Sequence, residues 1–201
     1  MSALGCVTGR FQPVHRQHLE LFETALADCA HLVVGVTNPD TEARHEEATS
    51  RHRHTGAANP FSYFERCRLL GAAVDERGLA PRVTVVPFDL TRPAVWPQYV
   101  PLSARQYVRV FGAWERQKAG WLAEAGYPVT VLDGDVESKV SSTDIRRLLA
   151  ALDIRRLLGG AGGWPLAGIA GEVPPATVPL LAEFLDRRSM RQRSIRQPTS
   201  P

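Results

Sequence analysis

One stretch, Gly9-Arg10-Phe11-Gln12-Pro13-Val14-His15-Arg16-Gln17-His18, restricts the fold more than any other part of the chain. It follows a short apolar run, Leu4 to Val7, and precedes an amphipathic run over residues 18–30. An apolar run, a glycine turn and a helical periodicity spell strand, tight turn and helix. Leu19, Phe22, Leu26 and Ala30 share one helical face, and a second β-branched run follows at residues 31–37. Strand, helix and strand in such quick succession make a right-handed βαβ unit, which opens a parallel sheet. Its ligand edge is then the carboxyl end of the first strand, where Gly9–Pro13 lies. His15 and His18, three residues apart, fall on one face of the first helical turn. Unpaired N–H groups and the helix dipole favour an anion there. The turn is shaped for phosphate.

The rest of the chain continues the alternation. Strands are expected at 4–8, 31–37, 82–87, 107–110 and 127–132, with helices over 16–30, 60–76 and 113–125. Pro60 suits the first helical position. The expected fold is α/β, a doubly wound, Rossmann-like parallel sheet of about five strands with helices on both faces and C-terminal helices. Residues 38–59 are polar and aperiodic, a basic loop containing Arg44, His45, Arg51, His52, Arg53 and His54. Ser141-Ser142-Thr143-Asp144-Ile145-Arg146 reads as a capped helix start. Its hydroxyls and arginine would suit the outer phosphates of a nucleoside triphosphate. Arg146-Arg147-Leu148-Leu149 is echoed by Arg155-Arg156-Leu157-Leu158, too short a period for a stacked repeat, and reads as two adjacent helices. Residues 159–168 form a Gly-rich break, and residues 174–185 a last helix.

Composition closes off other classes. A chain of 201 residues holds one domain with a sizeable core. That domain is expected over 1–186, with a basic, disordered tail over 187–201. No apolar run approaches a membrane span, and no secretory signal is visible, so a cytoplasmic location is expected. Cys6, Cys29 and Cys67 are too widely spaced for a Cys-x-x-Cys metal site and read as buried thiols. The net charge of +3 comes from the tail, whose five arginines meet no acid, leaving −2 for the remainder. A nucleic-acid role would rest on that tail alone.

With those residues in view, GRFQPVHRQHL resembles the GRFQPxHxGHL signature of the HxGH nucleotidylyltransferases, most closely the archaeal-type nicotinamide mononucleotide (NMN) adenylyltransferases and their divergent phosphonate cytidylyltransferase relatives. Ser141–Arg146 resembles the second superfamily signature, ISxTxIR, with Val140 in place of Ile. A third stretch resembles SHxxxNPFTAGER, matching at His54, Asn59, Pro60, Phe61, Glu65 and Arg66, with Tyr63-Phe64 replacing a small pair. Trp96 also has a counterpart. The resemblance covers residues 3–186.

The resemblance implies transfer of a nucleoside monophosphate from CTP or ATP to a small phosphonate or phosphate acceptor, releasing pyrophosphate. Such a reaction aligns two anions and needs no protein nucleophile. It implies catalytic roles for His15, His18 and Arg10, and nucleotide or phosphate contacts from Gly9, Phe11, Gln17, Ser141, Ser142, Thr143 and Arg146. Acceptor contacts are expected from Arg44, His54, Tyr63, Trp96 and Trp114. Mg²⁺ would bridge phosphates and water with no dedicated protein ligands. Two departures stand out. Gln17 occupies the signature's glycine, where it either crowds the triphosphate or adds a hydrogen bond. Phe111-Gly112-Ala113-Trp114 replaces a Ser-(Gly/Asn)-Asn-Pro stretch near the NMN site, which favours a rebuilt pocket for a smaller acceptor. The leading reading is a CTP-dependent phosphonate cytidylyltransferase of a natural-product pathway such as antibiotic biosynthesis. The alternatives are an NMN adenylyltransferase and a non-catalytic nucleotide sensor. The chain is compatible with a homo-oligomer and points to no membrane partner.

Overall fold

A computed structural model describes residues 2–157 and 168–196. Its centre is a five-stranded, all-parallel sheet in the order β3-β2-β1-β4-β5. The strands are β1 (Ser2–Gly9), β2 (Cys29–Thr37), β3 (Val83–Phe88), β4 (Arg105–Val110) and β5 (Val129–Asp133). Between them run α1 (Arg16–Asp28), α2 (Tyr63–Glu76), the one-turn α3 (Trp96–Tyr99) and α4 (Ala113–Glu124). Two further helices, α5 (Ser142–Leu157) and α6 (Val178–Arg196), complete the chain.

Period-two alternation sends neighbouring strand residues into two separate cores. Val7 and Val34 join α1, α2, α5 and α6 on one face. Cys6 and Val33 join Trp96 and the α4 residues Ala119 and Leu122 on the other. The sheet is thus covered on both faces, as its near-continuous apolar strands require. The strand order reverses between β1 and β4, the place where a doubly wound sheet opens a crevice. Their pairing stops at Cys6 opposite Gln106, and beyond it the strand ends diverge.

Local chemistry explains where the elements differ from expectation. α2 starts at Tyr63 rather than Pro60, because Ser62 and Glu65 form a reciprocal cap: Ser62 Oγ accepts from Glu65 N, and Glu65 Oε2 accepts from Ser62 N. The two Arg-Arg-Leu segments lie in one helix, α5, not in two. Most of the Gly-rich break falls outside the described residues. The expected boundary at 186 falls inside α6, which runs on to Arg196. Arginine is a good helix former, and here it also has partners. Arg187 pairs with Glu183 at 2.6 Å. Arg188 bonds the Pro60 carbonyl, lies 3.4 Å from Glu65 and stacks 4.7 Å above the Phe61 ring. Residues 197–201 of the expected tail lie outside the described residues. Among the described residues no helix is long and apolar enough to cross a membrane.

Candidate active site

At the carboxyl ends of β1 and β4 lies a cavity of about 450 Å³, within the range of small-ligand sites. Three segments wall it: the turn from Gly9 into α1, the start of α5, and the stretch from Arg109 into α4, with Ser50 to Arg53 closing one side. Two signatures more than a hundred residues apart therefore meet at one hole.

The turn is tightly specified. A Cβ on Gly9 would sit 2.9 Å from the Phe11 ring, so only glycine leaves that ring its place. Phe11 itself takes a left-handed conformation, φ +49°, which costs about 1–2 kcal/mol for an L-residue. Its ring is buried edge-on to His18 at 4.9 Å and to Phe22 at 5.8 Å. The strained residue thus braces a histidine. Gln12 exchanges two 2.9 Å hydrogen bonds with the Phe61 backbone, and the fully buried Arg66 donates to the carbonyls of Arg10, Thr37 and Asn38. These bonds fix the ends of β1 and β2 to each other.

His15 occupies the N-cap of α1 and His18 the third helical position, their rings 3.7 Å apart. Burial pushes His15 down to about 3, with Arg16 pushing the same way. His18 is pushed well below its ordinary value by burial, then by His15, Lys118 and Arg109. Both rings are neutral at pH 7. His18 Nδ1 accepts from the His15 amide at 3.2 Å, so the neutral ring carries its proton on Nε2, as a donor. His15 Nδ1 is buried with no protein partner. The α1 N-terminus is less open than a bare helix end, since the Arg16 amide already donates to Glu172 O at 2.9 Å.

Gln17 lines the cavity with its amide hydrogen-bonded on both sides. Its Nε2 donates to Ser138 O at 2.7 Å and its Oε1 accepts from Val140 N at 2.8 Å. It staples the segment entering α5 to α1. Ser141 Oγ then caps α5 through the Asp144 amide at 3.2 Å, as expected of an N-cap. Arg146, largely buried, donates to Gln12 O at 3.1 Å and to Thr143 Oγ1 at 2.9 Å. The second signature is thereby hydrogen-bonded to the first.

Opposite α1, the wall is cationic. Arg10 donates to the carbonyls of Arg53 and Ala58, while its Nε is buried without a partner. Burial pushes Arg10 down to about 8, helped by Arg53, Arg146 and Arg66; a guanidinium keeps its proton at neutral pH, so an anion here relieves that pressure. Arg53 stacks 4.5 Å above Trp114 and lies 3.8 Å from Glu115. Arg10, Arg53, Arg109, Lys118, Lys139 and Arg146 line the cavity against one carboxylate, Glu115. Among the described residues no three His, Cys, Asp or Glu side chains gather as a metal nest. The donor set suits a metal ion carried by phosphate oxygens rather than by protein.

All ten residues expected at the phosphate end line the cavity: Gly9, Arg10, Phe11, His15, Gln17, His18, Ser141, Ser142, Thr143 and Arg146. Of the five acceptor candidates only Trp114 does. Trp96 is fully buried, stacked on Phe88 at 5.2 Å, with Nε1 donating to Asp89 O at 2.6 Å; it is core. Tyr63 is the first residue of α2, directly after the Ser62 cap, and packs part-buried against the core. Arg44 and His54 are half-buried in the 38–59 loop and do not line the cavity. Arg53, from the basic loop, also lines the cavity, as do Lys118, Arg109 and Thr8, which no motif marks. A lysine in an otherwise apolar helical face, Lys118 beside Ala119 and Leu122, was the one signal available.

Known proteins resemble this chain in sequence and in fold. The cytidylyltransferase-like family matches residues 6–148. A phosphonoformate cytidylyltransferase from Streptomyces viridochromogenes is 33% identical over 148 residues, covering 73% of this chain and 80% of that protein. A nicotinamide-nucleotide adenylyltransferase from Thermococcus onnurineus is 30% identical, covering 73% of this chain and 72% of that one. A bifunctional NMN adenylyltransferase/ADP ribose pyrophosphatase from Francisella tularensis superposes with TM-score 0.62 at 13% identity over the whole of this chain, which spans 58% of that longer protein. That likeness shows the fold.

Proposed function

This chain belongs to the cytidylyltransferase-like family and is a nucleotidylyltransferase, and from that premise we propose that it transfers CMP from CTP to a small phosphonate with release of pyrophosphate. The observation that carries the acceptor class is the wall of Arg53, Trp114 and Lys118 on the α4 side. It narrows the cavity with an aromatic plane and lines it with cations, which suits a compact, highly charged acceptor. The 33% identity to a protein named for phosphonoformate supports the same reading.

The chemistry asks little of the protein beyond alignment. A phosphonate oxygen attacks the α-phosphorus, the bond to the bridging β-oxygen breaks, and pyrophosphate leaves with its electron pair. The acceptor is already an anion at pH 7, so no base is required. His18 offers Nε2–H to charge developing on the α-phosphate, and being neutral already it has no proton to lose first. Thr143, Ser141 and Arg146 hold the β- and γ-phosphates at the α5 N-terminus. Arg10, with its unpartnered Nε, takes either reacting anion. Mg²⁺ bound by phosphate oxygens would neutralise part of their charge.

A second reading, an NMN adenylyltransferase using ATP, draws on the nicotinamide-nucleotide adenylyltransferase relative at 30% identity. Pyrophosphate release with CTP and with ATP, each against phosphonates and NMN, separates the two. Turnover with CTP and a phosphonate is expected; turnover confined to ATP and NMN would replace this reading with the second. No release with any pair would leave a nucleotide-binding sensor.

A further inference from the structure

We propose that Lys118 is the acceptor-specificity residue of this site, its ammonium holding a second anionic group, a carboxylate, borne by the phosphonate acceptor. The inference rests on the phosphonate reading above and sharpens it, from phosphonates in general to phosphonocarboxylates.

β1 and β4 separate after Cys6 and Gln106, and the Thr8 carbonyl lies just past the split. Lys118 reaches across from α4 and donates to that carbonyl at 2.9 Å. His18 comes to the same cavity from α1, on the other face of the sheet. The ammonium therefore stands across the crevice from the histidine that faces the reacting phosphate.

Next comes charge. Lys118 is 9% exposed, and desolvating an ammonium is costly unless it is paired. The Thr8 carbonyl satisfies one of its three N–H groups. Glu115, the one carboxylate lining the cavity, has Arg53 at 3.8 Å. Burial pushes Lys118 down to about 8, reinforced by Arg53 and opposed by Glu115 and Cys6, so it remains charged at pH 7. A buried cation with spare donors is a site for an anion from outside the protein.

An independent observation points to the same spot. Thr8 is 5% exposed, lines the cavity, and its Oγ1 has no protein partner. A buried hydroxyl left unsatisfied wants a ligand atom. The ammonium and this hydroxyl offer a carboxylate one charge-assisted and one neutral hydrogen bond. On the reading above, Arg146 is engaged with the triphosphate, which leaves Lys118 for the acceptor's second anionic group. A pyridinium-bearing acceptor would instead bring a positive charge toward Lys118, so the same residue disfavours nicotinamide nucleotides.

The test compares two acceptors that differ by the carboxylate. Phosphonoformate and methylphosphonate are titrated calorimetrically into the full chain at pH 7, for wild type, Lys118→Met and Lys118→Gln. Glutamine keeps a donor near the Thr8 carbonyl without the charge, so it guards against a folding defect. Wild type is expected to prefer phosphonoformate by about ten- to a hundredfold, the worth of one charge-assisted bond. Both variants are expected to reduce that preference to about twofold, with the greater part of the loss falling on phosphonoformate. An unchanged preference in the variants, equal loss for both ligands, or no phosphonoformate preference in wild type would each overturn the assignment. Binding needs no turnover: a Lys118-dependent preference without pyrophosphate release would sink the reaction and leave the subsite standing.

Discussion

The two ends of the cavity are built in different ways. The phosphate end comes from two short continuous segments, 9–18 and 138–146, each a turn running into a helix start. The acceptor end comes from single side chains on separate elements: Thr8 on β1, Arg53 in a loop, Trp114 and Lys118 on α4. At the first end, backbone and side chain cooperate within a few residues, and the bonds between the two segments are direct, through Gln17 and Arg146. At the second, contacts span dozens of residues, and no local spacing encodes them. On the proposed function, common chemistry falls where the chain is local, and selectivity where it is not. Substitutions at the phosphate end should therefore affect every acceptor alike, and those at the acceptor end should discriminate.

The largest effect expected is for His18. Replacing it with Asn shortens the donor and removes Nε2–H from the developing charge, and kcat should fall by about a hundred- to a thousandfold. The fall should be the same for each acceptor the enzyme turns over. An acceptor-dependent loss, measured by steady-state pyrophosphate release, would break the division between the two ends. Gln17 comes next. Gln17→Gly removes two hydrogen bonds that hold Ser138 and Val140, loosening the approach to the triphosphate helix. KM for the nucleotide should rise about tenfold, from bonds worth about 1 kcal/mol or more, while acceptor KM stays fixed. A fall in nucleotide KM would mean instead that the side chain obstructs the site.

His15 marks the phosphate end in a different currency, stability. The unfolded chain's histidine takes up a proton near 6.5, whereas folded His15 resists until about 3. As pH falls through that interval the unfolded state binds more protons, so stability declines, by about 1.4 kcal/mol per pH unit for one such group. His15→Gln should flatten the part of the acid slope that belongs to this residue. Urea midpoints between pH 7 and pH 5 measure it, and an unaltered slope in the variant would place the proton uptake elsewhere.

The contrast also explains what could be read without coordinates. The strands, the parallel order and the turn at Gly9 follow from periodicity and glycine chemistry that any window of the chain displays. His15, His18 and Thr143 lie in contiguous motifs, and the structure brings them together. Trp96 has a counterpart in the family, but an aromatic's side of the sheet depends on packing: here Phe88 and Tyr127 claim it. The charge of their loop makes Arg44 and His54 look like acceptor ligands. That loop is instead ordered by polar side chains converging on one backbone oxygen, with Arg10, Asn38 and Asn59 all donating to the Arg53 carbonyl. Such convergence has no sequence period. Lys118 was hidden for the same reason, since its partner Thr8 lies 110 residues away.

Trp114 offers the smallest effect and the sharpest probe of the acceptor end. Arg10, Arg53 and Trp114 line both the main cavity and a neighbouring hollow of about 30 Å³ that reaches Thr37, Asn38 and Trp121. The indole therefore acts as a partition, held edge-on by Trp121 at 5.6 Å and capped by Arg53. Trp114→Ala opens the partition and frees Arg53 from its ring. Losing a cation–π contact of about 0.5–1 kcal/mol should raise KM for a small phosphonate only about two- to fivefold. The same opening lengthens the cavity toward the 38–59 loop, where a nucleotide acceptor would need room. Relative turnover with NMN should rise while nucleotide KM and kcat at saturating phosphonate hold steady. If turnover with NMN does not move, room is not what separates the acceptors, and charge at Lys118 must do so alone. If nucleotide KM moves as well, the partition belongs to both ends, and the division drawn between them is too clean.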